Sequence, residues 1–279
     1  TRNHSSAASD VYKRQPGHPE VEIPGVEATT GPLGQGFAMA VGMAVAESML
    51  REKLTQLSDD ISDVFGHYTY VLAGDGDFQE PIVLGAGSMA GHWGLSRLIV
   101  YYDANNAQIS GKVGRSDSTN YAQVFEGFGW HVQEIDGHDH DKIREAIEKA
   151  QVVDRPSLII GTTIMAKGAA NVEGDHETHG APLGYDEISA TKDKLGLPQD
   201  LFYSNETVSN HFRKRFLSLS EQAKEWESKI TEALKNDDFK KYWDSIFDKD
   251  FSDLKFPDFE SNASIATRKA FGMTLDLSL

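Results

Sequence analysis

Asp75 and Asn105 stand thirty positions apart, each just past a short apolar run: YTYVLAGDGDFQEP covers Tyr68 to Pro81, and LIVYYDANNAQISG covers Leu98 to Gly111. One residue offers a carboxylate and the other a neutral amide carbonyl. Oxygen donors of this kind suit a hard divalent cation that prefers octahedral geometry. They can meet on one ion if the two runs are neighbouring strands of a parallel sheet, because ligands of open α/β sheets sit at the carboxyl ends of the strands. Gly74 and Gly76 flank the aspartate and would let the main chain approach a diphosphate. Gly-Asp-Gly by itself is a common turn, so the chemistry depends on its companion at the end of the following strand.

The elements that must position these residues are legible in the pattern. HYTYVLAG (His67 to Gly74) and RLIVYYD (Arg97 to Asp103) are short, β-branched and aromatic, as expected for strands covered on both faces. Val83 to His92 reads as a small-residue helix between them. Trp130 to Ile135 and Ser157 to Thr163 read as two more strands, separated by the helical DKIREAIEKAQ from Asp141. Strand, helix, strand in this order implies right-handed crossovers, and hence an α/β fold with a parallel sheet and helices on both faces. Upstream, Phe37 to Leu54 is apolar almost throughout and reads as a mostly buried helix opened by GPLGQG.

Towards the C-terminus, Val208, Phe212, Phe216, Leu219, Ala223, Trp226, Ile230 and Leu234 recur every three or four positions. That spacing makes a long amphipathic helix, whose apolar stripe is expected to pack on its own domain. DFKKYWDSIFDKDFSDLKFPDFESN, acidic, aromatic and interrupted by Pro257, reads as a short helix followed by a linker. The opening TRNHSSAASDVYKRQ has neither an apolar core nor periodicity, so 1–15 is expected to be unstructured and foreign to the fold, which begins at Pro16.

Composition narrows the partners. The 279 residues carry a formal net charge of -16. Nucleic acid and anionic membranes need clustered Lys and Arg, so neither is expected as a partner. There is no cysteine, which excludes disulfides, thiolate metal sites and cysteine nucleophiles, and is compatible with the expected cytoplasmic location.

Gly-Asp-Gly followed about thirty residues later by Asn-Asn resembles the thiamine-diphosphate motif, and GHPEVEIPGVEATTGPLGQG, SMAGHWGLSRLIVYYD and HETHGAPLGYD are each similar to stretches of the transketolase cofactor domain. The likeness runs from Gly17 to about Tyr185 and continues more weakly through the long helix. It implies 16–200 as the thiamine-diphosphate-binding domain and 201–255 as its helical extension. IATRKAFGMTL, Ile265 to Leu275, is similar to the entry of the family's second, pyrimidine-binding domain, so 256–279 is expected to be a linker and the start of a truncated second domain.

Carried over position by position, the resemblance implies that Asp75, Asn105 and the main-chain carbonyl of Ala107 bind Mg2+ or Ca2+. Gly76, the Gly31-Pro32-Leu33 turn and Ile109 would line thiamine diphosphate. His179 would lie near the diphosphate and the substrate, His18 at the donor sugar's oxygens, and Glu80 at the subunit interface around the cofactor. The implied reaction moves a two-carbon ketol unit between sugar phosphates, in a homodimer or with a complementary pyrimidine-binding domain. Family members usually have Gly at Pro81, Asp at Ala104 and a larger apolar residue at Ala107, and an Ile-Gly-aromatic run at Met165-Ala166-Lys167.

Two other readings stand beside this one. The same cofactor serves 2-oxo acid chemistry in deoxyxylulose-phosphate synthase and the pyruvate dehydrogenase first component, against which GHPE and HETHGAPL argue. The chain can also be a cofactor-domain subunit or fragment that does not turn over alone. Asp136-Gly-His-Asp-His-Asp141 has the composition of a metal cluster, yet it lies between a strand and a helix, where Asp caps the helix N-terminus. His176 is a further substrate-pocket candidate.

Overall fold

The computed structural model describes residues 18–58, 61, 64–247, 255–261 and 264–278, so the segment 1–15 lies outside the described residues. In chain order the helices are α1 (Gln35–Leu57), α2 (Asp75–Phe78), α3 (Pro81–His92), α4 (Tyr121–Gly127), α5 (His140–Ala150), α6 (Tyr185–Leu195), α7 (Glu206–Ala233), α8 (Asp237–Phe247) and α9 (Thr267–Ser278). The strands are β1 (Thr69–Gly74), β2 (Leu98–Ala104), β3 (His131–Asp136) and β4 (Ser157–Thr162). All pair in parallel, in the order β1-β2-β4-β3. The chain divides into two units, one formed by the residues up to Arg51 with Phe65–Lys214, the other by Glu52–Val64 with the residues from Arg215 onward.

The first unit holds the sheet. Alternate strand residues Val71, Ala73, Leu98, Val100, Tyr102, Leu158 and Ile160 point to one face, where they pack with Phe37, Ala40, Val41 and Ala44 of α1, Val83, Ala86 and Ala90 of α3, and Phe125 of α4. The aromatic rings interlock: Phe37 meets Phe78, Phe125 and Trp130 at centroid distances of 6.2, 6.2 and 6.1 Å. On the other face, Ile99 and Ile159 pack against Ala146 and Ala150 of α5.

Helices therefore lie on both faces, but coverage is uneven. Leu72 of β1 is 86 % exposed and Tyr70 is also exposed, although both belong to a run that reads as fully covered. β1 is an edge strand, and among the described residues only α5 contributes a helix to the core on that face, beside β3 and β4. The expectation of a mostly buried α1 is corrected in the same way. Its one face enters the core while Met39, Met43 and Met49 stay exposed. An apolar helix surface signals that it wants cover without supplying it.

The capping expectation at the Asp-rich turn agrees with the geometry. Asp139 accepts from the amides of Asp141 and Lys142 at the N-terminus of α5, at 3.0 and 3.1 Å. Asp136 accepts from the His138 amide, and the His138 ring accepts from the Ile164 amide at 2.8 Å.

The second unit is helical. Leu54, Ile61, Ile230, Ala233 and Phe239 are buried, and the Trp226 indole donates to the Val64 carbonyl at 3.3 Å. The long helix expected from Val208 is present as α7, but its stripe packs only near its C-terminal end, where Ile230 and Ala233 are buried. Val208, Phe212 and Leu217 remain exposed, and Phe216 is 73 % exposed. Among the described residues, no helix is long and apolar enough to cross a membrane.

Candidate cofactor and metal site

β1 and β2 are direct parallel neighbours, with Gly74 opposite Asp103. Asp75 follows the end of one strand and Asn105 follows the end of the other, so both reach the same edge of the sheet. Gly74 caps the single turn of α2, in an extended conformation. The side chain of Asp77 ties this turn down by accepting from the Gly74 amide at 2.9 Å and from the Gly34 amide at 2.8 Å. The GPLG turn before α1 is thereby anchored to the end of β1.

Asp75 is only 5 % exposed. Its Oδ1 accepts from the Tyr102 hydroxyl at 2.7 Å, whereas its Oδ2 is buried with no hydrogen-bond partner. Burial raises the Asp75 carboxyl above the ordinary carboxylate range; the Tyr102 hydroxyl and the nearby amides of Ala107, Asn106 and Asn105, which do not reach hydrogen-bonding geometry with Oδ2, pull it down without cancelling that rise. Burial, then the neighbouring Asp75 carboxylate, push the Tyr102 phenol up, so it stays a proton donor. A buried carboxylate oxygen without a partner is costly and calls for a cation or a donor.

Asn105 is held by both ends of its amide. Nδ2 donates to Asp103 at 2.9 Å and Oδ1 accepts from the Ala107 amide at 3.0 Å. Between them Asn106 takes a φ of 57°, a left-handed conformation that asparagine tolerates better than most residues. The second lone pair of Asn105 Oδ1, Asp75 Oδ2 and the Ala107 carbonyl are all hard oxygen donors of the type Mg2+ and Ca2+ accept.

These residues line a single cleft of about 600 Å3 that also includes His18, Gly31, Leu33, Gly76, Glu80, Ile109 and His179. Gly31 has a φ of 131°, and a Cβ there would come within 2.4 Å of the His18 ring, so glycine is required for the ring to lie against the turn. Ile109 is 77 % exposed at the mouth. Pro32 lines a neighbouring cavity along α1 and β1 instead. His176 does not line the cleft; its Nδ1 lies 3.5 Å from Asp175 in a short 3-10 turn. Tyr102 and Asp77 are absent from the residues the sequence singles out. Tyr102 shares alternation with Leu98 and Val100 and so reads as core, and Asp77 reads as part of the turn.

Residues 6–243 match the family described as the transketolase thiamine diphosphate binding domain. The chain belongs to the transketolase family. Transketolase 2 of Escherichia coli K12 is 37 % identical over 286 residues, covering 95 % of this chain and 41 % of the relative. A transketolase of Cereibacter sphaeroides is 47 % identical over 197 residues, covering 68 % and 29 %. The crystal structure of transketolase from Campylobacter jejuni superposes with a TM-score of 0.80 at 37 % identity, over 96 % of this chain and 41 % of that one. A Pichia stipitis transketolase solved in complex with sedoheptulose-7-phosphate gives a TM-score of 0.84 at 28 % identity, over 97 % and 41 %. The chain thus spans about two fifths of the length of the E. coli relative.

Two departures from the usual transketolase pattern have local explanations. Pro81 is the first residue of α3, where its missing amide hydrogen costs nothing and its fixed φ suits the helix. Ala166 has a φ of 51°, a left-handed conformation in which alanine bears some strain that glycine would not.

Proposed function

We propose that this chain is the cofactor-holding part of a transketolase, acting on a ketose phosphate and an aldose phosphate by transfer of a two-carbon ketol unit once the rest of the relatives' length completes the site. The observation that supports it most is the buried, unpartnered Oδ2 of Asp75 in a cleft shared with Asn105 and Ala107. In this reading those three hold Mg2+ or Ca2+. Gly76 and the turn from Gly31 to Leu33 receive the diphosphate, and exposed Ile109 gives the rings an apolar contact. When bound, thiamine diphosphate supplies the nucleophilic carbon and the electron sink for breaking a carbon–carbon bond.

His18 and His179, lining the same cleft, hydrogen-bond the sugar oxygens and can hold or release a proton as those oxygens change charge. Glu80 serves the subunit interface. The partner is a second copy of the chain, for which the exposed Met39, Met43, Ile82, Met89 and Trp93 of α1, α3 and the turn after α3 provide an apolar face. The domain reading assigns 16–200 to cofactor binding, 201–255 to its helical extension and 256–279 to a linker leading into the pyrimidine-binding domain. A cytoplasmic location belongs to the same proposal.

The test is calorimetric titration of thiamine diphosphate with and without Mg2+. Asp75→Ala should lower Mg2+-dependent affinity by more than about a hundredfold, beyond what loss of an outer hydrogen bond costs. Unchanged binding in that variant would refute the site.

A further inference from the structure

We infer that Tyr102 is the positioning residue of the candidate cation site: by holding Oδ1 of Asp75 it leaves Oδ2 as a single, fixed ligand and so favours Mg2+ over Ca2+. This rests on the proposed function. A carboxylate has two equivalent oxygens and can bind a metal through one or both. The Tyr102 hydroxyl occupies Oδ1 at 2.7 Å, and Oδ2 is left without a partner.

The hydroxyl has little freedom to move away. Tyr102 sits within β2, between Ala73 of β1 and Ile160 of β4 in register. Its ring stacks on Phe78 with centroids 4.1 Å apart and planes 16° apart, and meets the Tyr121 ring edge-on at 6.1 Å. Tyr121 does not compete for Asp75, because its own hydroxyl donates to Asp117 at 2.7 Å. The sheet and three aromatic rings therefore fix where the Asp75 carboxylate points.

The chemical consequence differs between the two ions. Mg2+ demands near-ideal octahedral geometry with ligands at about 2.0–2.1 Å, whereas Ca2+ accepts one or both carboxylate oxygens at about 2.3–2.6 Å and variable coordination number. A carboxylate freed from Tyr102 can rotate or chelate through both oxygens, which Ca2+ tolerates and Mg2+ does not.

Tyr102→Phe removes the hydroxyl and keeps the stacked ring. Binding of Mg2+ and of Ca2+ to the chain is measured by calorimetry at saturating thiamine diphosphate, with Tyr121→Phe as a control in the same aromatic cluster. Mg2+ affinity should fall about tenfold or more in Tyr102→Phe. Ca2+ affinity should change by less than about threefold, and the control should match the unaltered chain for both ions. Equal losses for the two ions, or none, would overturn the inference while leaving the proposed function standing. Failure of the unaltered chain to bind thiamine diphosphate with either ion would instead remove the proposed function, and this inference with it. A crystal structure of the unaltered chain with Mg2+ and thiamine diphosphate gives a second check. Asp75 should ligate through Oδ2 alone with Tyr102 still on Oδ1, and a bidentate Asp75 would overturn the assignment.

Discussion

Burial acts on individual side chains in opposite ways at Asp75 and at His131. For Asp75 it disfavours the charged form and leaves an oxygen unpaired, a cost that a bound cation would offset. His131, at the start of β3, lies 3.3 Å from the Ser157 hydroxyl, and burial, followed by the nearby Arg155 and Lys149 charges, depresses its pKa. The folded state therefore takes up this proton at lower pH than the unfolded chain, whose histidine titrates near about 6.5. Stability linked to His131 is fully present above that value and is lost as pH falls from there through the lower folded-state pKa, because the unfolded state then binds more protons. His131→Gln cannot take up the proton. Urea unfolding at a series of pH values should show a shallower acid-side loss for this variant, and an unchanged slope would refute the assignment.

Among the elements, α3 shows how small residues set the distance between layers. A Cβ on Gly91 would come within 1.9 Å of the Phe128 carbonyl oxygen, and one on Gly87 would lie 2.9 Å from the Phe125 ring. The Gly87 carbonyl also accepts from the Trp130 indole at 2.8 Å. Alanine is the better helix former by about 1 kcal/mol. The clash is with backbone and cannot be relieved by rotating a side chain, so overpacking wins. Gly91→Ala should destabilise the chain by about 2–3 kcal/mol, read as a lower urea midpoint with an unchanged slope. A midpoint equal to or above that of the unaltered chain would show that α3 and the turn before β3 separate more easily than their packing suggests.

At the scale of the molecule, the exposed apolar face on α1 and α3 is the feature that a lone chain leaves unsatisfied. Met39, Met43 and Met49 project from the side of α1 turned away from the core, and Ile82 and Met89 do so from α3. The cavity between these helices, about 540 Å3, is lined almost wholly by apolar and glycine residues. Large contiguous apolar surface on a soluble chain marks an interface. Sedimentation should find the chain self-associated, despite a net charge of -16 that opposes close approach of copies. Met43→Glu should shift it to monomer without changing its fold, measured by circular dichroism. A monomer before the substitution would exclude this face as the dimer contact.

Strand, helix and turn identities were largely decided by the sequence alone. β-branched runs, Asp caps and three-to-four spacing are local signals, and each acts within a few residues of itself. The candidate site residues were legible in Gly-Asp-Gly, Asn-Asn, GHPE and HETHGAPL because their types and resemblance precede any contact. Tyr102 and Asp77 were not, since a tyrosine in strand alternation looks like core, and its role exists only when β1 and β2 pair in register and bring its hydroxyl to Asp75. Coverage was likewise undecided. Leu72, Met43 and Phe216 are as apolar as Val71, Ala44 and Ile230, yet the first three are exposed and the others buried. Hydrophobicity is a property of the residue, whereas burial belongs to whatever the tertiary structure sets against it.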